Sequence, residues 1–155
     1  MPALDTGYGV KGLIFCGERV LLLRKPNGEF DLPGGRLEVG EGYKDGLDRE
    51  IQEETGLCQV EITDHFIPWT FINRLGAVIK GRTWLCWHGI GEVRLSDEHS
   101  DLSWELLENI SNLNFYQKYG LEKFVPNSLM QFQERRKAYD DLESRRISTG
   151  KGGRV

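Results

Sequence analysis

The sequence predicts an α/β domain on three observations. Runs of Val, Ile, Leu, Phe and Trp occur at strand length, a short helical segment with glycine at both ends lies among them, and helical periodicity takes over after Asn112. A chain of 155 residues fits one domain that buries roughly two-thirds of its unfolded surface, enough for a core without covalent staples. We expect a single domain over residues 1–145, with a helical C-terminal part from about 113 to 145 and a mobile basic tail over 146–155.

The elements follow in order. Between Tyr8 and Lys25 two apolar runs flank Gly17-Glu18, a pair suited to a tight turn, which predicts a β-hairpin. Asn27-Gly28 marks another turn; Phe30-Asp31-Leu32 is then a short strand opening into a loop at Pro33-Gly34-Gly35, a stretch too rich in Pro and Gly for regular structure. Tyr43 to Thr55 reads as a helix, with Gly42 as N-cap, Asp45 in the first turn and Gly56 at the left-handed C′ position. Leu47 and Ile51 give it one apolar stripe, and Gly46 on the same side implies close approach to a neighbour. Cys58–Ile72 and Ala77–Val93 read as two long strands joined at Asn73-Arg74-Leu75-Gly76, and Leu102–Leu106 as a last short strand. The C-terminal helical part breaks near Gly120 and restarts at Pro126.

Bulk properties exclude several classes. A net charge of −4 argues against a surface that coats nucleic acid. Cys16, Cys58 and Cys86 are odd in number and far apart, so neither a disulfide framework nor a zinc site is indicated; we read them as reduced, mostly buried thiols. His65, His88 and His99 have no ligand spacing. No apolar run approaches the roughly 18 residues of a membrane span, and the N-terminus lacks the basic and apolar regions of a signal peptide, so the cytoplasm is the expected compartment.

The informative feature is a set of acids. Glu50, Glu53 and Glu54, spaced i, i+3 and i+4, share one face of the helix and should repel one another. A solvated face explains most such rows. Here, however, Pro33-Gly34-Gly35-Arg36 precedes the helix, and its glycines let backbone approach a ligand. Glu41 stands at the helix entrance, and Arg49 lies beside the acids, able to fix one carboxylate. Such a set can cage Mg²⁺, a hard cation that takes oxygen ligands and bridges to phosphates.

The order Gly35, five residues, Glu41, seven residues, Arg49-Glu50-Ile51-Gln52-Glu53-Glu54-Thr55-Gly56-Leu57 resembles the complete Nudix box. The resemblance implies a Nudix α/β/α sandwich with a mixed β-sheet, extending to about Phe124, and a catalytic helix at about 43–55. It implies that Glu53 and Glu54 bind metal, that Glu50 binds metal or acts as base, and that Gly34 offers a main-chain carbonyl. Arg49 and Glu41 would support the acids, with Gly35 and Gly56 shaping the ends of the box. Members commonly recruit one more acid from a later loop, and we place it at Glu98 rather than Asp97 or Asp101, because a Trp-containing strand, here with Trp104, follows. Gly42 and Gly46 stand where small residues are usual in the first helical turn.

The implied reaction is attack of water on a pyrophosphate, with Mg²⁺ (or Mn²⁺ in its place) neutralising the phosphate oxygens and a carboxylate taking the proton. The products would be NMP and pyrophosphate from a nucleoside triphosphate, or NMP and X-phosphate from a nucleoside diphosphate linked to another moiety. Arg24, Lys25 and Arg36 are candidates to hold phosphate. Trp69 and Phe71 are candidates to stack a base, although alternation along the strands sends half of the aromatics Phe30, Trp69, Phe71, Trp84 and Trp87 to the core. Pro68 and the Ile67–Phe71 stretch match none of the marks of the family's substrate subclasses, which turns the expectation toward a (deoxy)nucleoside triphosphate. The expected partner is thus a small nucleotide, without a membrane; a homodimer is left open. Two alternatives stand beside it, an RNA 5′-end pyrophosphohydrolase and a nucleotide-binding regulatory domain without turnover.

Overall fold

The computed structural model describes residues 5–88, 102–124 and 126–152. Its centre is a seven-stranded mixed sheet: β1 (Asp5–Cys16), β2 (Arg19–Arg24), β3 (Phe30–Asp31), β4 (Gly34–Glu38), β5 (Val60–Ile72), β6 (Val78–His88) and β7 (Leu102–Leu106). The path runs β3-β2-β1-β6-β5, with β4 paired to β1 and β7 to β2. Among the described residues only the β1–β6 pairing is parallel. The two sequence-predicted hairpins form, with Phe15 opposite Val20 and Ile72 opposite Val78. Pro68 sits in β5, the last strand of the path, where a missing N–H costs least.

Alternation along the strands fills a core on each face. Leu13 and Phe15 of β1, Val20 and Leu22 of β2, and Leu85 of β6 meet Ile110, Phe115, Leu121, Phe124 and Phe132 from the C-terminal part. Val10 and Ile14, Leu21, and Trp84 with Cys86 face the other way, onto Leu47 and Ile51 of α1 (Tyr43–Thr55). The two layers of helix on one sheet make the α/β/α sandwich. After β7 come a 3₁₀ turn (Leu107–Asn109), α2 (Phe115–Lys118), a second 3₁₀ turn (Leu121–Lys123) and α3 (Pro126–Gly152). Gly120 makes the predicted break, at φ +72°. The α3 helix is continuous through Gly152, into the stretch 146–155 that the sequence reads as a tail. Among the described residues no helix is long and apolar enough to cross a membrane.

Two expectations need correction. The stretch at Pro33-Gly34-Gly35 is not simply a loop, because Gly34 and Gly35 open strand β4, which pairs with Lys11 and Val10 of β1. The strands lie so close there that a Cβ on Gly34 would come 2.0 Å from the Val10 carbonyl oxygen, and φ is +141°, so glycine permits the strand rather than breaking it. Trp69 is not an open stacking face. It is 5% exposed, donates Nε1–H to Thr83 Oγ1 at 2.9 Å and packs on Tyr119, 5.0 Å between centroids. Phe71 is half-buried and lies 5.6 Å from Trp69. Of the cysteines, Cys86 is buried, Cys16 half-buried and Cys58 exposed.

Room for the Trp69 ring comes from glycines on two neighbouring strands. Trp69 pairs with Gly81 across β5–β6, and Gly81 pairs with Gly9 across β6–β1. A Cβ on Gly81 would fall 2.3 Å from the ring and 2.5 Å from the Gly9 carbonyl oxygen. We therefore expect Gly81→Ala to lower unfolding stability by at least about 2 kcal/mol, since neither a buried indole nor a strand backbone can give way cheaply. Urea unfolding of the variant against the parent measures it.

Candidate functional site

Helix α1 is placed so that its acids face strand β4. Gly56 ends it at φ +76°, donating its N–H to the Gln52 carbonyl, and Gly46 allows Leu37 of β4 to lie against the helix: a Cβ there would meet Leu37 Cδ2 at 2.2 Å. At the other end Arg82 lies between the rings of Tyr43 and Phe66, 4.2 and 4.3 Å from their centroids, and donates Nε–H to Tyr8 Oη.

Arg49 organises the acidic face. It donates Nε–H and Nη2–H to the two oxygens of Glu41, at 2.7 and 2.9 Å, a forked charge-assisted pair. Its Nη1 reaches Glu50 Oε1 and Glu53 Oε2, both at 3.2 Å, and Nη2 reaches the Arg36 carbonyl at 3.3 Å. Glu41 also accepts the Glu38 N–H at 3.0 Å. The Arg49 guanidinium and that N–H hold Glu41 below the usual carboxylate range, while Glu41, then Glu50, hold Arg49 above its ordinary value.

The three box acids occupy different settings. Glu53 is exposed beside Arg49. Glu50 packs its carboxylate against Gly35, where a Cβ would fall 2.5 Å from Cδ and 2.6 Å from each oxygen. Burial raises its pKa against the pull of Arg49. Glu54 faces inward and accepts the Gly34 N–H at 2.8 Å; burial pushes its pKa up to about 7, opposed by that N–H and by Lys11. Among the described residues no three His, Cys, Asp or Glu side chains are drawn together as a finished cation cage. The donor set nonetheless fits a hard divalent ion. Carboxylates on one helical face stand against Gly34 and Gly35, where no side chain comes between them and the strand backbone.

Beside Glu54 opens a cleft of about 290 Å³ bounded by Arg24, Lys25, Asp31 and Leu102. The structure thus brings Arg24 and Lys25 to the cleft that Glu54 lines, whereas Arg36 is exposed on β4 and Trp69 belongs to the core. Glu98, with Asp97, Asp101 and His99, lies outside the described residues. A larger groove of about 730 Å³ between β5 and α3 has none of these acids in its walls.

Sequence reasoning missed Lys11, Asp31, Lys118 and Tyr119. Asp31 is buried, receives the Lys11 and Lys25 ammonium groups at 3.3 and 3.5 Å and accepts the Leu32 N–H at 2.8 Å. Lys11 also donates to the Leu32 carbonyl at 3.2 Å. Burial, then Asp31, keeps the Tyr119 phenol protonated well above its ordinary range.

The NUDIX domain model matches residues 6–127. Among curated proteins the chain is 29% identical to an RNA pyrophosphohydrolase of Afipia carboxidovorans, over 66% of this chain and 75% of that protein. It is 34% identical to the nucleoside triphosphatase NudI of Escherichia coli, over 54% and 65%, and 41% identical to an ADP-ribose pyrophosphatase of Methanocaldococcus jannaschii, over 35% and 34%. The chain therefore spans less than two-thirds of the latter two. Among solved structures, a Caenorhabditis elegans Ap4A hydrolase superposes with TM-score 0.62 at 24% identity, covering 76% of this chain and 94% of that one. The E. coli dihydroneopterin triphosphate pyrophosphohydrolase gives 0.61 at 16%, covering 81% and 99%. At these identities the likeness shows the fold.

The Glu54 setting yields a prediction. A carboxyl whose folded pKa is raised from 4.5 to about 7 adds stability in its protonated form. That contribution is full below the unfolded value and is lost as pH rises through the folded one. In metal-free protein the gain in stability of Glu54→Gln over the parent should therefore grow between about pH 5 and about pH 8. Denaturant titrations at both pH values read the difference; a gap that does not change would contradict the burial argument.

Proposed function

The chain belongs to the Nudix hydrolase family, and from that premise we propose that it hydrolyses the pyrophosphate linkage of a nucleoside diphosphate joined to another group, foremost a (deoxy)nucleoside triphosphate to NMP and pyrophosphate. The observation that carries this is the packing of Glu50 on Gly35 and of Glu54 on the Gly34 N–H, which leaves a carboxylate face against bare backbone. A pyrophosphate is a stable anion that repels hydroxide, so its cleavage needs positive charge at the phosphorus oxygens. Mg²⁺ ions, when bound, supply that neutralisation and acidify the attacking water.

The residues divide the remaining work. Glu50, Glu53 and Glu54 hold the cations, with the Gly34 carbonyl as a further donor and Glu98 as the acid from beyond β6. Glu50 takes the proton of the attacking water at its carboxylate, and Arg49, fixed by Glu41, keeps that carboxylate turned to β4. Arg24 and Lys25, on the wall of the cleft beside Glu54, bind the substrate's phosphates.

A second reading, hydrolysis of an RNA 5′-end, is favoured by the 29% identity to an RNA pyrophosphohydrolase. Such an activity would fall steeply with salt, as contacts to several phosphates are lost. Incubating the protein with Mg²⁺ and a panel of NTPs, dNTPs, ADP-ribose, dinucleoside polyphosphates and 5′-triphosphate RNA separates the two. We expect turnover of the small nucleotides, abolished by a chelator and restored by Mg²⁺. Glu53→Gln and Glu54→Gln should each lower it at least ~100-fold. Parental rates in those variants would count against the assignment.

A further inference from the structure

Three lysines from three separate elements gather around Asp31 and the Tyr119 ring, next to the proposed catalytic acids. Lys11 of β1 and Lys25 after β2 both pair with Asp31. The third, Lys118 at the end of α2, holds its ammonium 4.4 Å from the Phe71 ring centroid and 5.5 Å from that of Tyr119. Tyr119 in turn carries the Lys11 ammonium 5.1 Å from its centroid. Asp31 is already engaged by two ammonium groups and the Leu32 N–H. Among the described residues Lys118 has no carboxylate within ion-pair distance.

The charge count does not close. Lys11, Lys25 and Lys118, with Arg24 on the wall of the same cleft, bring four positive charges, against Asp31, Glu29 near Lys118, and Glu54, whose burial favours its neutral form. Loss of solvent around the Lys118 ammonium, with repulsion from Lys25 and Lys11 and opposed by Asp31, holds its pKa below the ordinary lysine value. Cations gathered in this way at a cost are stabilised by an anion that joins them. A neutral nucleobase does not answer that excess, whereas a phosphate group does.

Resting on the function proposed above, we propose that Lys118, with Lys25, binds the departing phosphate or pyrophosphate end of the substrate, and that Lys11, Asp31 and Tyr119 orient this cationic pole. Lys25, Asp31 and Glu54 line one cleft, so a phosphate at the pole lies in the same cleft as the carboxylate face. Phe71 then serves as the platform for the Lys118 ammonium, not as a stacking surface for a base.

Calorimetric titration of the protein with inorganic pyrophosphate, with Mg²⁺ present, tests this without relying on turnover. The parent should bind, Lys118→Met and Lys118→Gln should each bind at least about tenfold more weakly, and Lys118→Arg should recover most of the affinity. Matching melting temperatures keep a folding defect apart from a binding one. Unchanged affinity in both neutral variants, or no binding by the parent, overturns the proposal. Its failure is distinct from failure of the proposed function: a parent that turns over nucleotides while Lys118 proves irrelevant to pyrophosphate loses only the pole. A parent that hydrolyses nothing but binds pyrophosphate through Lys118 keeps it.

Discussion

The site depends on one constraint: carboxylates that repel each other are held on a single helical turn against the Gly34-Gly35 start of β4, where no side chain intervenes. Arg49 is what makes this tolerable. Its guanidinium is forked onto Glu41 and touches Glu50 and Glu53, so one fixed cation offsets part of the mutual repulsion of the row. What Arg49 does not reach is Glu54, whose carboxylate is turned inward to the Gly34 N–H and whose burial favours the neutral form. A divalent cation would reverse that preference, since a ligand carboxylate must be ionised; metal binding and proton release are therefore coupled at this residue.

The rest of the fold serves this placement. Gly46 and Leu37 set the distance between helix and β4, and Gly34 sets the distance between β4 and β1. The parallel pairing of β1 with β6 carries the frame across the sheet, and the Gly9–Gly81–Trp69 row locks β1, β6 and β5 into one surface. Thr83 fastens that row to the C-terminal part through the Tyr119 carbonyl, at 2.8 Å. The residue that follows α2 is thus tied to the centre of the sheet, which is how Lys118 and Tyr119 come to stand beside Asp31.

Much of this was legible in the sequence, for local reasons. Helix 43–55 announced its ends through Gly42 and Gly56, the hairpins through Gly17-Glu18 and Asn73–Gly76, and the acids through their i, i+3, i+4 spacing. What was not legible depends on contacts distant in the chain. Gly34 and Gly35 look like loop residues until β1 is known to pair with them. Trp69 looks like a stacking residue until Gly9 and Gly81 are seen to make room for it; glycines inside two predicted strands were the available signal. Lys11, Asp31, Lys118 and Tyr119 belong to no motif, and only the topology brings them together.

The central claim is that the helix face is a cation site for cleaving a diphosphate. Crystals soaked with Mn²⁺ and a non-hydrolysable nucleoside triphosphate test it most directly, through anomalous scattering. Peaks between the Glu50, Glu53 and Glu54 carboxylates, with the phosphate chain passing toward Lys25, are the predicted result. Manganese elsewhere, with those carboxylates still turned to Arg49 and the Gly34 N–H and the nucleotide bound away from them, would contradict the account.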